Sequence, residues 1–130
     1  MSSGVSNGLL KRHFFEPFGA GSFVEGSPSV AEGRAGSRKR GVAVQLQCQI
    51  RGQEIVAARF LAWGCPHSIA AASWLAETLT GMSLDEASGI SAMQIVAALG
   101  VPIDKLGSIL VVEDALAACL ENARSRRHIW

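Results

Sequence analysis

VAVQLQCQIRGQEIVAARFLAWGCPHSIAAASWLAETLTG, residues 42–81, changes its hydrophobic period partway along, and that change decides the fold. Over residues 42–50, Val42, Val44, Leu46, Cys48 and Ile50 alternate with Ala43, Gln45, Gln47 and Gln49. A period of two describes a strand with one buried face. Arg51, Gly52 and Gln53 are turn material. Glu54–Trp63 reads as a second strand, so the two predict an antiparallel hairpin. After Gly64-Cys65-Pro66 the period becomes helical. Ile69, Ala72, Leu75, Ala76 and Leu79 share one face before Gly81 ends the run. Pro66 suits the first helical position, where its missing N–H has no partner to lose.

Downstream, Ser83-Leu84-Asp85-Glu86 and Ser91-Ala92-Met93-Gln94 are capping boxes, and the second of these helices stops at Gly100. Asp104 or Ser108 is expected to open a long last helix. Its apolar stripe is Ile109, Val112, Leu116, Cys119 and Leu120, and it runs out into Arg124, Arg126 and Arg127. Basic residues suit a helix C-terminus. Upstream, Leu10, His13, Phe14 and Phe15 predict a short helix that Pro17 and the Gly-rich run 19–21 would end. Residues 26–41 are rich in Gly and Ser, carry Arg34, Arg38, Lys39 and Arg40, and read as a mobile loop. Phe23 and Val24 are expected to begin a third, edge strand. The sum is a single α+β domain over residues 1–130. It has a small antiparallel sheet of about three strands with helices on one face, and residues 1–9 and 124–130 are expected to be loose.

Composition excludes several classes. Hydrophobic residues make up 48% and charged residues 18%, which argues against disorder throughout. The 12 basic and 11 acidic residues nearly cancel, so no global charge favours nucleic acid. The longest apolar stretch, around residues 108–112, is too short to span a bilayer. The opening MSSGVSNGLL lacks the basic start and apolar block of a signal peptide. Three cysteines then read as reduced thiols or ligands, and a cytoplasmic protein is expected.

Cys65 is the strongest candidate for chemistry. It lies where a predicted strand meets a predicted helix, and the free N–H groups there favour thiolate. His67 offers an added positive charge or a metal ligand. Position alone leaves Cys65 either an activated thiol or a small buried corner residue. Cys48 and Cys119 lie on apolar faces and read as core residues. His13, His67 and His128 form no HxxxH or CxxC arrangement, and Glu113 and Asp114, being adjacent, point in different directions. The cluster Arg34–Arg40 is either a solvated loop or a contact for an acidic partner.

Several ordered motifs resemble one family. Ala58-Arg59-Phe60-Leu61-Ala62-Trp63-Gly64-Cys65-Pro66-His67-Ser68-Ile69-Ala70-Ala71-Ala72-Ser73 is similar to A-x-F-x-x-x-G-C-x-x-x-I-A-S-S-S, the stretch around the second cysteine of IscU/NifU-type iron–sulfur cluster scaffolds. Gly81-Met82-Ser83-Leu84-Asp85-Glu86-Ala87 resembles G-K-x-L-D-E-A, and Val112-Glu113-Asp114-Ala115-Leu116-Ala117-Ala118 resembles A-E-D-A-I-K-A. His13-Phe14-Phe15-Glu16-Pro17 and Gly21-Ser22-Phe23 are similar to the family's H-Y-x-x-P-R-N-x-G-S-F. The resemblance covers residues 10–123.

That resemblance implies a [2Fe–2S] or zinc site, a cysteine desulfurase as sulfur donor and an Hsp70-type chaperone system as partner. The departures change the expectation. Arg40 falls at the first ligand cysteine, Val42 at the aspartate, Gly107 at the histidine and Ser108 at the third cysteine. Of the chaperone-recognition segment L-P-P-V-K, only Pro102 and Lys105 remain in Val101-Pro102-Ile103-Asp104-Lys105. Clusters are held chiefly by cysteine thiolates, and a guanidinium cannot be a ligand. The expectation is therefore a divergent, non-enzymatic member of the assembly pathway. It would hold no metal or cofactor as a monomer and act by partner binding or by sulfur relay at Cys65. The alternative is an adaptor or regulatory module that uses the scaffold fold without chemistry.

Overall fold

The structure is a computed structural model and describes residues 4–23 and 29–126. Helix α1 (Gly4–Phe15) leads into a sheet of β1 (Val30–Ser37), β2 (Val42–Arg51) and β3 (Glu54–Trp63). The strands lie in the order β1-β2-β3, antiparallel throughout. Helices α2 (Pro66–Leu79), α3 (Leu84–Ala87), α4 (Ala92–Leu99) and α5 (Leu106–Arg126) follow. A short 3₁₀ turn, Ile103–Lys105, precedes α5. This is the α+β class that the change of period predicts.

The strand register follows the alternation. Val42, Val44, Leu46, Cys48 and Ile50 are buried, and the glutamines between them face outward. α2 and α5 pack on that buried face. Ile109, Val112, Leu116, Cys119 and Leu120 all enter the core from α5. On α2, Leu75 and Leu79 are buried together with Ala70, Ala71, Ser68 and Ser73, whose small side chains let the helix lie close to its neighbours. Ile69, expected in the core, is only half-buried, at the margin of that interface. Both capping boxes form, at Ser83 with Glu86 and at Ser91 with Gln94.

Four expectations change. The third strand is Val30–Ser37, inside the segment read as a loop. Phe23 lies outside any strand, and Val24 lies outside the described residues. The cause is Gly33. A methyl group there would overlap the backbone of Ala115 and Cys119, so β1 meets α5 backbone against backbone and has few apolar side chains to reveal it. α1 starts at Gly4, well before Leu10, within the stretch expected to be loose. α5 starts at Leu106 and continues to Arg126, so neither Asp104 nor Ser108 opens it. Pro102 precedes the 3₁₀ turn without a side-chain cap, and the turn itself leads the chain into α5. Residues 127–130 lie outside the described residues.

Among the described residues no helix is long and apolar enough to cross a membrane.

Candidate functional site at the strand–helix corner

Cys65 caps α2 from an extended conformation, φ −73° and ψ 158°, and Pro66 takes the first helical position. Gly64 before it has φ 137°, a region that side chains avoid. A Cβ on Gly64 would stand 2.8 Å from the Gly41 carbonyl oxygen and 3.1 Å from the Val42 Cα. The β1–β2 turn therefore presses on the corner that presents Cys65. From the other side α5 brings Ser108, whose Oγ is 3.5 Å from the Cys65 Sγ. Ser68 Oγ donates to the Cys65 carbonyl oxygen at 2.8 Å, which holds a hydroxyl beside the sulfur.

Burial pushes the Cys65 thiol up. The Ser108 hydroxyl, the N–H and hydroxyl of Ser68 and the N–H of His67 outweigh it, and the thiol lies below its ordinary range. No capping hydrogen bond of normal length forms from the sulfur to the first-turn amides, so those N–H groups act on it as nearby dipoles. The groups that lower the Cys65 thiol are N–H and O–H donors. His67 acts through its backbone N–H, while its ring Nδ1 is buried with no hydrogen-bond partner among the described residues. Arg40 is exposed on the β1–β2 turn, where its own N–H bonds to the Ser37 carbonyl. Ser68 was missed in the sequence. Its signal is a hydroxyl three residues past a cysteine at a helix start.

The tertiary structure brings together Cys65, Ser108 and the Gly41–Val42 backbone. Val42 is 6% exposed and belongs to the core. Gly107 is exposed and offers no side chain. Pro102 and Lys105 are exposed ahead of α5, at the end that carries Ser108. Cys48 and Cys119 are buried next to each other beneath the sheet, and their contact, with burial, pushes the Cys48 thiol well up. The corner thus offers one thiol and one hydroxyl where a cluster needs several thiolates. No group of three or more His, Cys, Asp or Glu able to hold a metal ion occurs among the described residues. These residues do not fit a cluster held by one chain.

A second polar centre, also unforeseen, ties α1 to α2. His13 is buried, with Nδ1 2.6 Å from Ser73 Oγ, which also accepts the Phe18 N–H at 2.8 Å. Arg12 Nη2 lies 2.9 Å from His13 Nε2 and 2.8 Å from Glu77 Oε1. Arg12 can only donate, so His13 Nε2 accepts from it and the consistent tautomer donates from Nδ1 to Ser73.

A family model described as the NifU-like N terminal domain matches residues 7–129. The chain is 33% identical over 116 residues to the iron–sulfur cluster assembly scaffold protein IscU of Escherichia coli, covering 88% of this chain and 91% of that one. It is 32% identical over 117 residues to the iron–sulfur cluster assembly protein IscU of Plasmodium falciparum, covering 90% of this chain and 72% of the other. The fold is similar to the N-terminal part of a nitrogen-fixing NifU-like protein from Brucella abortus. There the TM-score is 0.72 at 16% identity, over 95% of this chain and 96% of that one. From the match over nearly its whole length, together with relatives one-third identical, the chain belongs to the IscU/NifU-type family of iron–sulfur cluster assembly scaffolds.

Proposed function

We propose that this chain serves iron–sulfur cluster assembly as a divergent scaffold homologue that accepts one sulfur atom at Cys65 and hands it on, without holding a cluster by itself. The observation that supports this most is the Cys65 corner. It holds a half-exposed thiol, favoured as thiolate by Ser108, Ser68 and the first turn of α2, with no second thiol beside it. Such a group is a nucleophile. The Cys65 thiolate attacks the outer sulfur of a cysteine persulfide on a donor. The donor's S–S bond breaks, a new S–S bond forms on Cys65, and the donor cysteine leaves as a thiolate. No electrons are gained or lost overall. In this reading the donor is a cysteine desulfurase. Pro102 and Lys105 are what remains of a contact for an Hsp70-type chaperone system, and the protein works in the cytoplasm, where thiols stay reduced. It catalyses no turnover of its own.

The test is incubation with a cysteine desulfurase and cysteine without oxygen, followed by intact-mass and peptide analysis. The expected result is a gain of one sulfur atom at Cys65, absent in Cys65→Ser and still absent from Cys48 and Cys119. Desulfurase binding without sulfur transfer would overturn the relay and establish the adaptor reading instead.

A further inference from the structure

The helices cover one face of the sheet. On the other, among the described residues, Ser22 and Phe23 lie against the end that carries Gln47 and Arg59, where the Phe23 N–H donates to Gln47 Oε1 at 2.9 Å, and the end that carries Ala43 and Trp63 is exposed. The register arranges that outer face in three rows across the strands: Gly36, Ala43 and Trp63; Arg34, Gln45 and Leu61; Glu32, Gln47 and Arg59. The first row sets two small residues beside a large one. The result is a hollow of about 300 Å³ with Ala35, Ala43, Leu61 and Trp63 in its lining. Leu61 is 48% and Trp63 45% exposed, an uncommon pair of large apolar side chains to leave adjacent on a sheet.

The charge around the hollow is of one sign. Arg34 lines it, and Arg38 reaches over the Trp63 ring at 5.4 Å. Lys39 and Arg40 follow on the exposed β1–β2 turn. Among the described residues, Arg34 has a carboxylate partner, Glu32 at 2.8 Å, while Arg38, Lys39 and Arg40 have none within ion-pair distance. Glu32 is itself bonded by the Gln45 and Gln47 amides, at 2.9 and 3.0 Å. It places one fixed negative charge in the middle of the face. A uniformly charged phosphate backbone laid across the sheet would meet it. A peptide can set its carboxylates at the basic rim and its apolar side chains in the hollow. The Gly41–Val42 backbone, next to this rim, also abuts Gly64.

We infer that the outer sheet face, from Arg34 and Arg38 to Leu61 and Trp63, is a docking groove for an extended acidic segment of a partner protein that seats an apolar side chain in the Gly36–Ala43 hollow. The separation of small floor from cationic rim is the carrying observation, and it stands apart from any chemistry at Cys65.

The test uses the intact chain and a fluorescent synthetic peptide alternating glutamate with leucine, read by anisotropy at low and moderate salt. Two controls are the peptide with lysine in place of glutamate and a single-stranded oligothymidine. The acidic peptide should bind, weaken with salt, and lose at least tenfold in affinity in Arg38→Glu/Arg40→Glu. Ala43→Glu, which fills the hollow and adds a negative charge, should abolish binding. Circular dichroism should show both variants folded, and both sit on exposed or half-exposed positions. Cys65→Ser should bind as the native chain does, which separates this result from the fate of the sulfur relay. Equal binding of the lysine peptide, tighter binding of the oligonucleotide, or unchanged binding in the folded variants would overturn the proposal.

Discussion

The reactivity of Cys65 depends on a balance between two opposed local effects. Partial burial disfavours the thiolate, and nearby N–H and O–H groups favour it more strongly. Ser108 is the one side chain from another element in that balance, 3.5 Å from the sulfur. Removing its hydroxyl by Ser108→Ala should therefore move the midpoint of Cys65 alkylation to higher pH. Iodoacetamide labelling followed residue by residue by mass spectrometry gives the profile. In the native chain Cys65 should react at lower pH and far sooner than Cys48 or Cys119, which are buried and need the core to open. A profile unchanged by Ser108→Ala would remove Ser108 from the site.

At the scale of elements, α1 packs Leu9, Leu10 and Phe14 against the core and is also tied to α2 by polar groups. Its anchor to α2 is polar, built from His13, Ser73, Arg12 and Glu77. Burial and then Arg12 lower the His13 pKa from its ordinary 6.5, while Glu77 opposes them. The titratable groups that face His13 are Arg12 on its own helix and Glu77 on α2, and α4 carries none. A depressed histidine pKa stabilises the fold fully above 6.5. As pH falls below that value the unfolded chain takes up the proton first, and stability declines until the folded pKa is reached. Thermal melts between pH 7.5 and 5 should show this fall, and it should vanish in His13→Gln. Ser73→Ala should cost about 1–3 kcal/mol at neutral pH, because it leaves the Phe18 N–H and the buried His13 Nδ1 without their partner.

For the whole molecule, packing gathers three elements at the corner of Cys65. The β1–β2 turn abuts Gly64 and α5 delivers residue 108 to Cys65. Arg40→Cys with Ser108→Cys should then restore enough thiolate for the chain, reconstituted without oxygen, to retain more iron and acid-labile sulfide than the native protein. Adding Val42→Asp should lower stability by on the order of 3–5 kcal/mol, because a carboxylate would replace an isopropyl group within the core. Metal analysis and denaturant titration of the double and triple variants check the two expectations separately.

The sequence by itself determined the hairpin, the helix that follows it and the two capped helices. Each is written in a local period or a local cap: Val42 to Ile50 alternate, and Ser83 and Ser91 each meet a partner three residues on. It also placed Cys65 at a helix start, and the family motifs named its neighbourhood. Only the tertiary structure decided the third strand, because β1 is held by contact of its glycine backbone with α5 and carries no apolar alternation to read. The same holds for what surrounds the thiol. Arg40 and Ser108 lie 25 and 43 residues from Cys65 along the chain, and packing brings the hydroxyl to the sulfur while leaving the guanidinium in solvent. The His13–Ser73 anchor joins residues 60 apart, and the outer groove draws on all three strands. Local periods record which face of an element is buried, whereas which distant groups share that burial is set by how the elements pack.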